Sequence, residues 1–235
     1  MLKVQALGAG YGHGDVLRGI KLTVAPGEIV AVLGRNGSGR STLAKAIAGQ
    51  IAWHGAISWH QRSLQGLRAF EIARLGIGYV PESRDVFAGL TVQQNLMLGI
   101  KPASGTASPA LGWDEEGIYR LFPALRARRQ VDAAVLSGGE QQMLALGRCL
   151  MGAPALVIVD EPTEGLAPAL VQQVASCLQG LRERGVAVLL MEQKLAIALA
   201  IADRLLVLGH GAVAFEGTPQ QLYHRTDVVQ EWLQV

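Results

Sequence analysis

Aromatic residues are scarce in this 235-residue chain, with four each of Trp, Tyr and Phe. A core with so few rings has to rest on aliphatic strands and Ala/Leu-rich helices, and a chain that is half hydrophobic supplies them in one α/β domain. Cysteine occurs only twice, as Cys149 and Cys177, far apart and each inside an apolar helical pattern. That spacing excludes a disulfide framework and a Cys-based metal site. It predicts buried, reduced thiols in a cytosolic protein. Neither sign of charge dominates: 21 Lys and Arg face 19 Asp and Glu, for a net charge of +2. Such balance argues against nucleic acid or an anionic lipid surface as a partner. No apolar run approaches the ~18 residues of a spanning helix. The longest, Leu195 to Ala202, is cut off by Asp203 and Arg204. No signal-peptide pattern precedes the first strand pattern, so the chain is expected to be soluble by itself, yet able to dock on a membrane partner. Lysine is scarce too, confined to Lys3, Lys21, Lys45, Lys101 and Lys194.

What is present alternates between strand and helix. LKVQAL and IKLTV have the period of half-buried strands, and APGE after them is a turn. EIVAVLG is a continuous apolar run, as a central parallel strand requires, and STLAKAIAG reads as a helix closed by Gly49. Short strands are expected near AISW and IGYV, and a helix from about Thr91. Lys101 to Gly112, rich in Pro, Gly, Ser and Ala, reads as a loop or insertion. A helical stretch interrupted at Pro123 follows, then a helix from LSGG to about Met151. ALVIVDEP and VAVLLMEQ are buried strands separated by a helix over about Pro168 to Arg184, and a last hairpin and short helices finish the chain. This order predicts a mostly parallel sheet.

Three segments carry chemistry. GRNGSGRST, Gly34 to Thr42, lies between a buried strand and a helix. Such a turn gathers backbone N–H groups and a helix's positive end around one point, which suits phosphate. Gly34, Gly37 and Gly39 supply the backbone freedom, Arg35, Asn36 and Ser38 complete the loop, and Ser41 offers a hydroxyl to Mg²⁺. Arg40 stands where such loops carry lysine, placed to lie along the β and γ phosphates. In VIVDEP, Asp160 is suited to hold Mg²⁺ through water and Glu161 to polarise an attacking water. In LSGGEQQ, Ser137, Gly138 and Gly139 open a helix and form a second anion site. Each segment alone also fits a blander role: an ordinary glycine-rich turn, an acidic pair capping a helix, or an N-cap with Glu140 in the first turn. The three together, in this order, leave little room for those roles.

With VPESRDVFAGLTVQQNL between the first and third motifs, the whole chain resembles an ATP-binding-cassette transporter subunit. VPE, LFPAL, EPTEGLAP and MEQK followed by AIADRLLVL resemble a narrower group, the ATP-binding subunits of branched-chain amino-acid importers and their urea and amide relatives. The resemblance implies a P-loop nucleoside-triphosphatase core with a mostly parallel sheet, a small antiparallel β lobe and a helical subdomain. One ATP-binding domain is expected over 1–235, its core at about 1–84 and 153–235 and its helical subdomain at about 85–152. ATP and Mg²⁺ are the implied ligands. Tyr11 matches the aromatic that stacks on adenine. Glu82 occupies the place of a glutamine that senses Mg²⁺ and the membrane partner, and Gln193 that of a γ-phosphate histidine. Both departures are habitual in the narrower group. Leu136 to Glu140 of one subunit would close over nucleotide held by another, and Glu164 to Pro168 would meet that second subunit. The implied partners are two permease subunits in the membrane, docked near Glu82 and the segment after it. A second ATP-binding subunit, by preference a different polypeptide, and indirectly a solute-binding protein complete the set; nucleic acid is not expected. The implied place is the cytoplasmic face of the cell membrane.

Arg40 sets two readings against each other. Its guanidinium keeps the charge but is planar and longer than an ammonium. Binding rests on many contacts and should survive, whereas phosphoryl transfer depends on positioning. The first reading is an ATPase that drives transport; the second is a nucleotide-binding partner that hydrolyses poorly.

Overall fold

The computed structural model describes residues 1–12, 14–101 and 113–233. Its centre is a six-stranded sheet in the order β10-β9-β3-β8-β7-β6. The strands are β3 (Ile29–Leu33), β6 (Ile77–Val80), β7 (Leu156–Asp160), β8 (Ala187–Glu192), β9 (Arg204–Gly209) and β10 (Ala212–Gly217). All pairings are parallel except the β9–β10 hairpin. Every residue of β3, β7 and β8 is buried, which is why they read as unbroken apolar runs: both faces of the sheet are covered.

The two faces belong to two cores, divided by the period of two along each strand. Val30 and Val32 face α1 (Arg40–Ile47) and a four-stranded antiparallel lobe. That lobe, in the order β2-β1-β4-β5, comprises β1 (Leu2–Tyr11), β2 (Gly14–Val24), β4 (Trp53–Trp59) and β5 (Arg62–Ser63). Ile29, Ala31 and Leu33 face the other way. There they meet helices α6 (Gly138–Met151), α7 (Pro168–Glu183) and α8 (Leu195–Ile201). The fold is thus an α/β cassette with a mostly parallel sheet, an antiparallel lobe and a helical portion.

That helical portion holds α3 (Val92–Met97), α4 (Glu115–Leu121), α5 (Pro123–Ala127) and α6. Thr91 caps α3 as expected, accepting from the backbone N–H of Gln94 at 3.2 Å. Pro123 opens α5 at the expected break. Asn95, with no exposed surface, knits the turn before α3. Its amide nitrogen donates to the carbonyls of Phe87, Leu90 and Thr91 at 3.0–3.1 Å, and its oxygen accepts from Phe87 N–H at 2.9 Å. Asn95→Leu keeps the branched outline of the side chain but strands these groups. It is expected to lower stability by about 2–4 kcal/mol in urea unfolding, since each buried group left unpaired costs about 1–3 kcal/mol.

Two expectations need amendment. The sequence pattern missed α2 (Ala69–Arg74) and β5, because α2 is six residues long and buries only Ile72, leaving no period to detect. Leu195 to Ala202, the longest apolar run, is the short helix α8, and among the described residues no helix is long and apolar enough to cross a membrane. Cys177 is buried but Cys149 only partly so. Burial pushes both thiols up, to about 12 and about 11, so neither is a reactive thiolate. The expected loop at 101–112 lies, beyond Lys101, outside the described residues.

Candidate active site

The strand β3 ends at Leu33, and the chain turns through 34–39 into α1. This turn admits no side chain at two of its glycines. A Cβ on Gly34 would lie 2.5 Å from Ser38 Oγ and 2.7 Å from the Leu208 carbonyl oxygen. On Gly39, at φ 105°, it would lie 2.5 Å from a Leu17 methyl carbon. Close approach and left-handed backbone together require glycine there. The loop is closed by Ser38 N–H donating to Arg35 O at 3.0 Å. Beside it lies a cavity of about 460 Å³, walled by residues 35–42 with Val16, Glu82, Glu161 and Glu164. The first turn of α1 lies on that wall, and the N–H groups that open a helix suit an anion.

Facing the loop is the end of β7. Asp160 is buried and accepts from Ser41 Oγ at 3.1 Å, with the Tyr79 hydroxyl at 3.5 Å from its other oxygen. Burial raises the Asp160 carboxyl above its usual range, and the Ser41 hydrogen bond offsets part of that. A carboxylate penalised by burial gains most from a nearby cation. Glu161 follows at φ 47°, a left-handed conformation rare for a residue with a side chain, held by its N–H donating to Met191 O at 2.9 Å. Glu164 comes back to the same carboxylate: hydrogen bonding to Glu161, then its charge, raises the Glu164 carboxyl.

Arg40 lies on the wall of this cavity and makes an ion pair there. Its Nη2 donates to Glu161 Oε1, an ion pair in which the two side chains are only 4% and 10% exposed. The physical reason is that a guanidinium is long enough to span from the first residue of α1 to the end of β7. Its Nε and Nη1, and Ser38 Oγ, are buried with no partner in the protein. Buried donors without partners are costly, so a cavity wall that holds three such atoms fits an acceptor-rich phosphate chain. The paired oxygens of Ser41 and Asp160, and Glu82 on the wall, are donors of the hard type that Mg²⁺ takes.

The remaining candidates stand apart. Gln193 and Lys194 line a neighbouring cavity of about 380 Å³ that shares Glu161 and Glu164 with the first. Tyr11, at the end of β1, is 53% exposed and not part of the cavity wall. Leu136 to Glu140 also lie off that wall among the described residues. They form a capping box at the start of α6: Glu140 N–H donates to Ser137 Oγ at 3.3 Å, and Ser137 N–H to Glu140 Oε2 at 2.8 Å. Val16 and Tyr79 had no signal in the sequence, since an aliphatic residue in an antiparallel lobe and a tyrosine in a strand look structural.

The pattern of the family described as ABC transporter matches residues 17–164, from β2 through both edges of the cavity. The chain belongs to the ABC transporter family. It is 38% identical to the high-affinity branched-chain amino acid transport ATP-binding protein BraG of Pseudomonas aeruginosa, over 99% of both chains. With the probable branched-chain amino acid transport ATP-binding protein LivF of Archaeoglobus fulgidus it shares 36% identity over 94% of each. A nucleotide-free ATP-binding cassette from an ABC transporter superposes with a TM-score of 0.83 at 26% identity, covering 98% of this chain and 97% of that one. The chain is therefore an ABC ATPase: it binds ATP, and its hydrolysis is coupled to transport. Subunits of this kind work with transmembrane permease components.

Proposed function

We propose that this chain powers an ABC importer of branched-chain amino acids or related small polar solutes from the inner face of the cell membrane. The observation that carries the chemistry is the convergence of the glycine loop, the Ser41–Asp160 pair and Glu161 on one cavity. The likeness to BraG and LivF supports the cargo class. In this reading residues Gly34 to Thr42 cradle the phosphates with backbone N–H groups, Arg40 and the α1 N-terminus offset their charge, and Tyr11 stacks on the base. Ser41, Asp160 and Glu82 hold Mg²⁺, which when bound neutralises charge on the transferring phosphate. Glu161 takes a proton from the attacking water and Gln193 orients the γ-phosphate. Leu136 to Glu140 close over the nucleotide of a second ATP-binding subunit. That subunit is by preference a different polypeptide, with a second copy of this chain as the alternative.

In this proposal the chain is one ATP-binding domain over 1–235, with a core at about 1–84 and 153–235 and a helical subdomain at about 85–152. Between the two lies a groove of about 470 Å³ bordered by Tyr79, Phe87, Leu98 and Arg148. Phe70, Phe87, Met97, Leu98 and Ile100 all leave large apolar surface in water. Such a face suits the permease subunits, which in turn contact the solute-binding protein.

The test is leucine uptake into proteoliposomes that hold this chain with its permease subunits. ATP-dependent uptake is expected, and lost in Phe87→Asp through failure to copurify with the permease. Permease binding with ATP-gated structural change but no ATP consumption favours the second reading, a poorly hydrolysing partner. The Arg40–Glu161 ion pair is the observation behind that reading, because it occupies the carboxylate that has to accept a proton.

A further inference from the structure

Glu192 lies within MEQK without a role in the chemistry above, yet it is almost as completely enclosed as Asp160. It ends β8 and is 2% exposed. A carboxylate taken that far from water is costly unless its lone pairs are filled, and here three donors fill them. Thr163 Oγ1 donates to Oε1. The backbone N–H groups of Gln193 and Lys194 both donate to Oε2 at 3.0 Å. Two further bonds join the same pair of segments: Lys194 Nζ donates to Thr163 O at 2.9 Å, and Glu161 N–H to Met191 O at 2.9 Å. The segment carrying Glu161 and Thr163 and the segment carrying Gln193 are thus tied through one buried side chain. Nothing in an isolated β-strand end demands this. An apolar residue would be cheaper in a strand whose other five residues are Ala187, Val188, Leu189, Leu190 and Met191.

We infer that Glu192 is a positioning residue for ATP hydrolysis: it yokes Thr163, and with it the turn that sets Glu161, to the backbone of Gln193. The inference rests on the ATPase chemistry argued above. Glu161 lies two residues from Thr163 in a left-handed conformation that its surroundings have to enforce, so loosening the tie lets it relax. Gln193 has an exposed side chain, and the bond from its own N–H is what fixes where that side chain starts. Phosphoryl transfer is sensitive to such placement, a ~1 Å error costing roughly a hundredfold in rate. Nucleotide binding, built on residues 34–42, does not pass through this tie.

The experiment compares wild type with Glu192→Met, Glu192→Gln, Thr163→Val and Thr163→Ser. It reads kcat and KM for ATP, the affinity for a fluorescent ATP analogue, and amide hydrogen exchange over 161–166 and 193–194. Glu192→Met keeps the length and removes every acceptor. It is expected to lower kcat about a hundredfold, to leave KM and affinity within about threefold, and to speed exchange in both segments. Thr163→Val cuts one arm and is expected to lower kcat about tenfold. Thr163→Ser restores the hydroxyl and Glu192→Gln keeps an oxygen for the two N–H groups while donating to the Thr163 hydroxyl. Both should stay within about tenfold of wild type for Gln and threefold for Ser. Unchanged kcat in Glu192→Met overturns the inference, as does a loss of affinity and melting temperature equal to the loss in kcat. Should wild type itself not turn over, the ATPase chemistry fails rather than the tie. Exchange then decides alone: faster exchange in both segments upholds the yoke, and unchanged exchange overturns it.

Discussion

Glu161→Gln is expected to lower ATP turnover about a thousandfold while ATP still binds. The amide matches the carboxylate in shape and keeps an oxygen for Arg40 Nη2, so the ion-pair partner is not left bare. It cannot accept a proton at neutral pH, and a positioned general base is worth roughly 10²–10⁴ in rate. Three features single out Glu161 for this loss: its place on the cavity wall, its enforced left-handed backbone, and its separation from Asp160, whose partner is the Ser41 hydroxyl. Steady-state ATPase assays beside equilibrium binding of a fluorescent ATP analogue check it. A fall of less than tenfold would mean that another group takes the proton, and Glu164, on the same cavity wall, would be the next to replace.

Arg40→Ala should be the most damaging change of all, because it acts on both sides of the site. Toward nucleotide, it removes the guanidinium whose Nε and Nη1 are the unpartnered donors of the wall. A hydrogen bond to a charged group contributes about 1.5–3 kcal/mol, which predicts a roughly 10- to 150-fold loss of affinity. Toward the protein, it leaves Glu161 without its cation. Both members of the pair are nearly out of water, so solvent does not screen the loss, and breaking such a pair costs about 3–5 kcal/mol. A lower melting temperature is therefore expected together with weaker binding, and turnover at background. Arg40→Lys separates charge from shape. It is expected to bind ATP and to turn over within about tenfold of wild type, since lysine restores the cation and the rest of the wall is unchanged. If wild type binds ATP yet hydrolyses it only after Arg40→Lys, the guanidinium's hold on Glu161 is inhibitory and the chain is a nucleotide-gated partner.

The order of elements and the three motifs could be found by reading along the chain, because each rests on local chemistry. A strand covered on both faces is apolar throughout, as in Ile29–Leu33, and a tight turn at Gly34 and Gly39 admits only glycine. Thr91 and Ser137 were legible as caps for the same reason: a hydroxyl before a helix satisfies N–H groups three residues away. The short helix α2 escaped notice since a single buried residue, Ile72, makes no pattern.

What the sequence by itself determined is therefore the α/β architecture, the phosphate-binding turn, and the identity of Asp160 and Glu161 as the acidic pair beside it. Tertiary structure alone decided who partners whom. Arg40 lies 121 positions from Glu161, and Thr163 lies 29 from Glu192; only the parallel pairing of β7 with β8, next to β3, brings the C-terminal ends of these strands together. Side-chain partners across such distances depend on strand order and register. Those are set by the burial of two whole faces at once, and no local stretch of sequence encodes them.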